Sequence, residues 1–349
     1  MRKLLISALI VWLESTVLFA QKTDDLDLSV LIKPVSESSF MRDQRYFHWC
    51  NSIIKDEEGT YHLFYSRWPK SIGFCGWLTH SEIAHAVSKS MSGPYLYKET
   101  ALKAREGAWD AVTAHNVQVR KFGNQYYMYY TSTNTGGVEI DKYKLDEIGK
   151  VGYSHKDWDL LRSHQRAGVA VSSSLNGPWI RSEKPLLEPE GPIKNVAVNP
   201  SVCQGKEGRF YLIIKGDDKL AAKRRLIQAV GSSSDPDGGF VLEDKPAFAD
   251  IPTEDVCVWF DENRERFYAI FHAHGGDFIG LITSEDGINW HKAKNYLVCK
   301  KEIPLGNGTV MQVDNMERPY VYIEEGEVKM ISFAVKKGND SFIVFFPQQ

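Results

Sequence analysis

The sequence predicts an all-β fold, a five-bladed β-propeller, because one strand-turn-strand phrase returns five times and four copies end in a similar Gly-aromatic turn. The clearest copy is residues 109–131, whose second strand, 125–131, is rich in aromatic residues that favour half-buried strands. An irregular pair of β-sandwiches is the alternative, but it would not explain a periodic turn marker. The five copies are residues 48–66, 109–131, 199–216, 254–274 and 317–335.

Each copy reads as a hairpin, since a first strand is followed by a charged or Gly turn and a second apolar strand. Four copies continue into a third strand and a Gly-aromatic marker that ends at Tyr95, Trp179, Phe240 or Trp290. The fifth copy stops near the C-terminus. We therefore expect residues 28–35 to supply its last strand and close the ring.

Residues 1–20 have a basic start, an apolar run and a small residue, Ala20, before Gln21. This pattern is typical of a signal peptide and predicts a periplasmic or secreted protein. A membrane anchor is the alternative, but the run is short and is interrupted by Glu14. Residues 21–349 then form a single catalytic domain of five blades, with no membrane partner after cleavage.

The charge is nearly balanced, with 42 basic and 45 acidic residues, so no nucleic-acid partner is expected. No CxxC or Cys/His spacing suggests a zinc site, and no metal site is predicted from motifs. Cys50, Cys203 and Cys257 fall in first strands and are expected as core thiols, whereas Cys75 and Cys299 are left free or paired. No cofactor is expected, and a structural Ca or Na ion in the central channel remains an open alternative.

Two long loops carry aromatic residues that could hold a sugar. Residues 134–166 insert a charged stretch that contains Trp158, His155 and His164, and it is either a lid over a site or a partly helical decoration. Residues 67–79 carry two tryptophans. Aromatic rings beside polar groups favour carbohydrate, because the ring covers the C–H face of a sugar while polar groups bind its hydroxyls.

The first strands of a propeller line its central channel, so the residues that open them converge at one end of the axis. Polar residues there are costly unless they are paired or functional. A ring of polar residues that binds channel water is the alternative to a site. The converging residues are His48, Trp49, Asn51, His115, Asn116, Asn199, Glu254, Asp255, Glu317 and Arg318, with Asp110 just ahead of the first strand of the second copy.

The phrases NSIIKDEEGTYHLFYS, HNVQVRKFGNQYYMYYTST and NPSVCQGKEGRFYLIIKG, with the GPY and GPW turns, resemble the five-bladed propeller glycoside hydrolases of families 43, 32, 68, 117 and 130. The resemblance covers nearly the whole mature chain. It implies hydrolysis of a glycosidic bond by carboxylates on the inner strands. The chain departs from the pattern of families 43 and 32, since Cys50 and Asn51 stand where those families place an Asp in the first blade. Asn116 and Asn199 occupy the corresponding positions of the second and third blades.

The carboxylates predicted to be catalytic are therefore Asp110, Glu254 and Glu317. We expect Glu254 to face the channel with a raised pKa and act as general acid, with Asp255 on the other face of the strand, Asp110 as the ionised base and Glu317 tuning the pair. His115 and His48 are alternative proton donors. The predicted substrate-binding residues are His48, Trp49, Asn51, Arg67, Trp68, His115, Asn116, Asn199, Lys215, Asp255, His272 and Arg318.

Three functions are compatible with this pattern. The first is a secreted glycoside hydrolase that acts on a plant or algal polysaccharide or oligosaccharide. The second is a phosphorylase of the family 130 kind, with Lys215, Arg318 and His272 around a phosphate. The third is a non-catalytic sugar-binding propeller, favoured by Asn at the usual Asp positions. The sugar, the linkage and the stereochemical outcome are not fixed by the sequence.

Overall fold

A computed structural model describes residues 23–348, and the predicted signal peptide lies outside the described residues. Strands dominate this part of the chain, which confirms the all-β prediction. The strands are β1 Phe40–Met41, β2 Tyr46–Lys55, β3 Tyr61–Pro69, β4 Glu82–Ser88, β5 Leu96–Leu102, β6 His115–Phe122, β7 Gln125–Thr133, β8 Gln165–Ser172, β9 Ile180–Arg181, β10 Ile193–Gln204, β11 Phe210–Asp218, β12 Leu226–Ser233, β13 Val241–Phe248, β14 Thr253–Asp261, β15 Arg266–Ala273, β16 Phe278–Ser284, β17 His291–Lys300, β18 Glu302–Pro304, β19 Val310–Gln312, β20 Asn315–Glu324, β21 Glu327–Lys337 and β22 Asp340–Pro347; the α-helices are α1 Lys142–Val151 and α2 Trp158–Ser163.

All strands except β18 and β19, which pair as a separate hairpin, form antiparallel units of four, and each unit contains one of the five sequence repeats. The units are β2-β3-β4-β5, β6-β7-β8-β9, β10-β11-β12-β13, β14-β15-β16-β17 and β20-β21-β22-β1. A single parallel pairing of Ala197 with Arg166 connects the second and third units. The first strands contact one another in the order β2, β6, β10, β14, β20 and back to β2. Residues at the same position of each first strand therefore lie near one another.

The Gly-aromatic markers lie where the repeat predicts. Gly93, Gly177, Gly239 and Gly287 each connect the third strand of a unit to its fourth, with positive φ of 89°, 75°, 65° and 78°. This left-handed region is open to glycine and costly for most other residues. The markers are thus equivalent turns of successive units.

The prediction that residues 28–35 form the last strand of the fifth unit is wrong. Ser29–Leu31 is a 3-10 turn, Val35 bridges Leu305, and the strand that pairs with β22 is instead Phe40–Met41. The buried apolar residues of the earlier segment, Leu28, Leu31 and Val35, recur every three or four positions and not every two. That spacing suits a turn packed on the core rather than a strand with alternating faces.

The cysteines behave largely as predicted. Cys50, Cys203 and Cys257 are buried, and all five cysteines are free thiols, including the half-buried Cys75 and Cys299. The pKa of the Cys203 thiol is raised to about 12 by burial. These three thiols therefore pack as small apolar side chains in the core.

The insertion between β7 and β8 folds as a small helical layer. Helix α1 begins at Asp141, whose Oδ1 accepts a hydrogen bond from Lys144 N at 2.8 Å, a standard helix N-cap. Ile148, Trp158 and Leu161 of the insertion pack with Leu78 of the 67–79 loop in a separate apolar cluster. Trp158 is therefore a core residue of this layer. None of the helices within residues 23–348 is long and apolar enough to cross a membrane.

Candidate active site

Each first strand carries a non-glycine residue in the left-handed region of backbone conformation at an equivalent position, and β10 has a second one, Asn195 (φ 63°). At each of these points the pairing of the first strand with the second shifts register, which is the signature of a β-bulge. A bulge re-aims the neighbouring side chains. The five residues are Cys50 (φ 51°), Asn116 (52°), Asn199 (56°), Asp255 (59°) and Arg318 (53°).

The side chains of these five residues, which we call the polar ring, are hydrogen-bonded to one another across the units. Asn116 Nδ2 donates to Asn199 Oδ1 at 2.7 Å, and Asn199 Nδ2 donates to Asp255 Oδ1 at 2.6 Å. Arg318 donates from Nη1 to Asp255 Oδ1 at 2.9 Å and from Nη2 to Cys50 Sγ at 3.2 Å. The Cys50 thiol in turn donates to the backbone O of Val117 at 3.3 Å. The ring thus fixes five bulges against one another and forms the floor of a cavity.

The cavity above the polar ring has a volume of about 470 Å³. Many of the predicted site residues line it, together with residues from both long loops. Its lining consists of Trp49, Trp68, Phe74, Trp77, His115, Asn116, Tyr153, Arg162, Gln165, Val198, Asn199, Lys215, Arg224, Arg225, Leu226, Pro252, Glu254, Asp255, His274, Asn315 and Glu317.

Glu254 and Glu317 are the two carboxylates that the cavity brings together in addition to Asp255 of the ring. One oxygen of each, one oxygen of Asp255 and one ring nitrogen of His272 lie within 4.8 Å of one another. Glu254 Oε1 is 3.2 Å from Lys215 Nζ, and Glu254 Oε2 is 3.6 Å from His272 Nε2. Glu317 Oε1 accepts a hydrogen bond from Asn315 Nδ2 at 2.7 Å. One carboxylate of the pair is thus held by cations and the other by a neutral amide.

The two environments move the pKa values in opposite directions. Burial and the negative charges of Asp255 and Glu254 raise the pKa of Glu317, and this outweighs the effect of His272. Burial on its own would raise the pKa of Glu254 too, but Lys215, His272 and His274 hold it below its usual value. The expectation of a raised pKa for Glu254 is therefore wrong, and Glu317 is the carboxyl group that tends to keep its proton.

The expectation that Asp255 points away from the cavity is also wrong. Strand alternation would place adjacent residues on opposite faces, but the bulge after Glu254 interrupts this alternation and Asp255 lies on the cavity floor. Its Oδ2 lies 3.3 Å from His272 Nδ1. Burial opposes ionisation, yet Arg318 and His272 hold the pKa of Asp255 well below its ordinary value. Asp255 is consequently an ionised part of the polar ring.

Asp110 is not brought into the cavity. It is fully buried between two arginines, with Oδ1 2.9 Å from Arg105 Nε and Oδ2 2.8 Å from Arg181 Nη1. Tyr130 donates a further hydrogen bond to Oδ2 at 2.9 Å. All of these partners are side chains that fix the turn to the second unit, so the geometry does not support the predicted role of Asp110 as a base.

Five predicted binding residues lie outside the cavity lining, and three of them, His48, Asn51 and Arg67, are engaged in other contacts. His48 packs its ring on Tyr65, and Asn51 accepts a hydrogen bond from Ser332 Oγ at 2.6 Å. Arg67 pairs with Glu82 at 2.7 Å. Each of these side chains is engaged in contacts within or between units, which is why none is available to a ligand.

The two histidines considered as proton donors are poorly suited to that role. Burial lowers the pKa of His48 to about 4, and burial with the charge of Arg318 lowers the pKa of His115 to about 3. His115 does line the cavity, with its Nδ1 2.7 Å from Ser81 Oγ and its ring stacked on Trp77. At neutral pH it is an uncharged hydrogen-bonding group.

His272 and Arg318 lie beneath the cavity rather than in its lining, where they bind the carboxylates of the floor. Burial tends to lower the pKa of His272, but the surrounding charges of Glu317, Asp255 and Glu254 raise it. Glu254, Asp255, His272 and Glu317 are spaced closely enough to hold a metal ion. Lys215 and Arg318 already supply positive charge to these carboxylates.

Several lining residues were not among the predicted site residues. Trp77 and Phe74 come from the loop that was singled out for its two tryptophans, and Tyr153, Arg162 and Gln165 come from the insertion. The length and aromatic content of these loops signalled their involvement. No feature of the sequence pattern indicated that Arg224, Arg225, His274 or Asn315 would line the cavity.

Comparisons with known proteins agree with this architecture. No protein-family model matches the chain, and no curated protein matches it in sequence. Among solved structures, a family 117 glycoside hydrolase of the marine bacterium Zobellia galactanivorans is 14% identical, with 88% of this chain and 89% of that chain covered and a TM-score of 0.60. An endo-arabinase from Bacteroides thetaiotaomicron is 15% identical (91% and 98% covered, TM-score 0.55), and an alpha-L-arabinofuranosidase from Lactobacillus brevis is 13% identical (90% and 94%, TM-score 0.58).

These similarities extend over almost the whole described chain and over most of each solved structure. They confirm, at the level of the fold, the resemblance to glycoside hydrolases that the repeats indicated. The sequence identities are low, so the chemistry must be argued from the residues of the cavity itself.

Proposed function

We propose that the chain is a five-bladed β-propeller glycoside hydrolase that is secreted and cleaves a plant or algal polysaccharide or oligosaccharide. The cyclic contacts between the five first strands support the closed ring of blades. The observation that carries the enzymatic proposal is the pair of Glu254 and Glu317, two carboxyl groups on one cavity whose pKa values are moved apart. Such a pair is what glycoside hydrolysis requires.

In this proposal Glu317 is the general acid and the ionised Glu254 is the nucleophile. Their nearest oxygens are within 4.8 Å. So close an approach favours a retaining enzyme, whose carboxyl groups are ~5–5.5 Å apart, over an inverting one, whose carboxyl groups are ~6.5–9.5 Å apart to admit a water molecule. Glu254 attacks the anomeric carbon as the bond to the leaving oxygen breaks, and that oxygen takes the proton of Glu317. A water molecule then cleaves the glycosyl ester and returns a proton to Glu317.

The rest of the cavity suits a sugar. Trp77 is a half-buried ring on the cavity wall, and Asn116 and Asn199 present amides on its floor. Aromatic faces and amides of this kind hold sugar rings by stacking and by hydrogen bonds to hydroxyls. Lys215 positions the nucleophile and supports its charged form. We expect no cofactor for this chemistry.

A phosphorylase of the family 130 kind is the second candidate, because four cationic residues, Arg162, Lys215, Arg224 and Arg225, line the same cavity. In that case inorganic phosphate would replace water as the acceptor of the glycosyl group. The non-catalytic alternative is opposed by the presence of two differently tuned carboxyl groups where only binding would be needed.

One experiment separates the three functions. The purified mature protein is incubated with a panel of aryl glycosides and of plant and algal oligosaccharides, with and without phosphate, and products are identified by chromatography and mass spectrometry. We expect release of reducing sugar without phosphate, and its loss in Glu254→Gln. Sugar phosphates that form only with phosphate would establish the phosphorylase. Binding of an oligosaccharide that the wild type never cleaves would reject both enzymatic proposals.

A further inference from the structure

Arg162 is a buried cation without a partner. It lies in α2, lines the cavity, and is 7% exposed. Its Nη1 is buried and has no hydrogen-bond acceptor, and no carboxylate oxygen lies within 4.0 Å of the guanidinium among residues 23–348. Every other buried or half-buried arginine discussed above is bound by a carboxylate.

The two carboxylates that attract Arg162, Asp217 and Glu254, each lie beside another cation, although Asp217 Oδ1 accepts no hydrogen bond. Asp217 accepts a hydrogen bond from Asn195 Nδ2 at 3.0 Å and lies 3.5 Å from Arg224 Nε, while Glu254 is held by Lys215. Burial and repulsion from Arg224 lower the pKa of Arg162, and the attraction of Asp217 and Glu254 does not offset them. A guanidinium in this position destabilises the ligand-free protein, because a buried charge without a counter-charge loses its hydration.

We infer that Arg162 is the anion-binding residue of the cavity, with Arg224 at its rim, and that the substrate carries a negative group. The planar fork of a guanidinium matches the paired oxygens of a carboxylate, a sulfate ester or a phosphate. The half-exposed Arg224 adds positive charge where such a group would enter. The insertion thus supplies the cavity with a charge-selective subsite.

This inference rests on the proposed function for the identity of the ligand as a sugar, but the anion site itself does not depend on catalysis. The anion has two sources. It belongs either to the sugar, as a uronic acid or a sulfated sugar, or to inorganic phosphate as the co-substrate of a phosphorylase. The shared chemistry is a doubly or singly charged oxyanion with at least two oxygens to accept the Arg162 hydrogen bonds.

The test is direct binding measured by isothermal titration calorimetry in a buffer free of oxyanions. The probes are glucuronate, galacturonate, galactose 4-sulfate and inorganic phosphate, with glucose and galactose as neutral controls. The variants are Arg162→Gln and Arg162→Lys. Arg209→Gln is the matched control, because Arg209 is exposed in the turn at the opposite end of β10 and β11 and binds Ser232 Oγ.

We expect at least one acidic or sulfated sugar, or phosphate, to bind the wild type and Arg209→Gln equally. Arg162→Gln should weaken that binding by about ten- to hundred-fold, with a smaller loss in Arg162→Lys, which keeps the charge and loses the fork. Ligand-free Arg162→Gln should unfold at or above the wild-type temperature, which also shows that it folds. If Arg162 instead stabilised the fold, Arg162→Gln would unfold at a lower temperature than the wild type.

The outcomes distinguish the two sources of the anion, and they separate failure of this inference from failure of the proposed function. Binding of a charged sugar but not of phosphate assigns the anion to the substrate, and binding of phosphate alone assigns it to a phosphorylase. Anion binding that depends on Arg162 in a protein that cleaves no glycoside would preserve this inference and remove the proposed hydrolase. Absence of any anion binding, or binding unchanged in Arg162→Gln, would overturn the inference even if the hydrolase is confirmed.

Discussion

Arg318 Nη1 lies 2.9 Å from Asp255 Oδ1, and neither side chain is more than 8% exposed. The pair connects the fourth and fifth units at the floor of the cavity, where Asn199 also binds the same carboxylate oxygen. We expect Asp255→Asn to lower the free energy of unfolding by about 3–5 kcal/mol, because it leaves Arg318 buried without a counter-charge. Urea unfolding followed by intrinsic tryptophan fluorescence measures the change.

The control for this variant is Glu57→Gln, which breaks the exposed pair with Lys121 and should cost less than about 1 kcal/mol. The pH dependence gives a second check. The folded-state pKa of Asp255 is well below its ordinary value of 3.8, so its contribution to stability is present above about pH 4 and is lost as the pH falls through the folded pKa. Equal stability of Asp255→Asn and wild type at neutral pH would contradict the role of the pair.

The second prediction concerns the general acid. Glu317→Gln should lower turnover of natural glycosides by roughly two to four orders of magnitude, the usual share of general acid catalysis. Aryl glycosides whose leaving group is a strongly acidic phenol need little protonation of the leaving oxygen. Glu317→Gln should therefore cleave them at rates much closer to those of the wild type. Steady-state kinetics with a series of leaving groups measures both effects. Glu262→Gln, an exposed carboxylate at the far end of β14, is the matched control.

The third prediction concerns the nucleophile. Glu254→Gln should abolish cleavage even of aryl glycosides, since no leaving group replaces the attacking carboxylate. Product analysis by proton NMR with the wild type should show net retention of the anomeric configuration. Inversion would mean that Glu254 acts as a base on water and would require a wider separation of the two carboxyl groups during the reaction.

The fourth prediction is the shape of the pH profile. Glu254 must be ionised and its pKa is lowered, so activity is lost as the pH falls through a value below 4.5. Glu317 must be protonated and its pKa is raised, so activity is lost as the pH rises through a value above 4.5. The profile of kcat/KM should therefore be a bell. A profile that is flat from pH 4 to 9 would contradict this assignment.

A variant of Lys215 tests whether the acidic limb of the pH profile reports the ionisation of Glu254. Lys215→Met removes the positive charge 3.2 Å from Glu254 Oε1, so the pKa of Glu254 should rise and the acidic limb of the bell should move to higher pH. Lys219→Met, at an exposed position beyond the end of β11, removes the same charge and should leave the limb in place. An acidic limb unchanged in Lys215→Met would show that Lys215 does not control the ionisation of Glu254.

The fifth prediction concerns metal ions. Because Lys215 and Arg318 already pair with the ionised carboxylates Glu254 and Asp255, we expect neither activity nor unfolding temperature to change after dialysis against EDTA. Restoration with Ca²⁺ or Na⁺ should likewise have no effect. A rise of several degrees in unfolding temperature on adding Ca²⁺ would instead place an ion among Glu254, Asp255, His272 and Glu317.

The repeat made the fold and the general location of the site predictable, because a side chain at one position of each first strand must converge with its equivalents. Asn116 and Asn199 were found in this way, whereas Glu254 lies one residue before their equivalent, Asp255. The orientation of Asp255 was not, because a bulge interrupts the two-residue alternation on which the prediction relied. Asp110 was misassigned because its partners Arg105 and Arg181 are separated from each other along the chain and meet only in the fold.

The sequence pattern did not predict the charge balance of the cavity either. The lowered pKa of Glu254 depends on Lys215 in another unit, and the unpaired state of Arg162 depends on the packing of α2 within a charged insertion. A sequence pattern indicates which residues lie near a site. It does not indicate which cation binds which carboxylate, and the roles of Glu254 and Glu317 follow from that pairing.

The five left-handed residues of the polar ring carry a further consequence, which is conformational strain. A non-glycine residue in this region costs on the order of 1 kcal/mol or more, so five of them store roughly 5 kcal/mol, comparable with the whole net stability of a small domain. Glycine at any of these positions would relieve the strain and remove a ring side chain at the same time. At Asn116 and Asn199, selection for thermal stability and selection for an intact cavity floor therefore act in opposite directions, whereas glycine at Asp255 or Arg318 would leave the partner charge buried and unpaired.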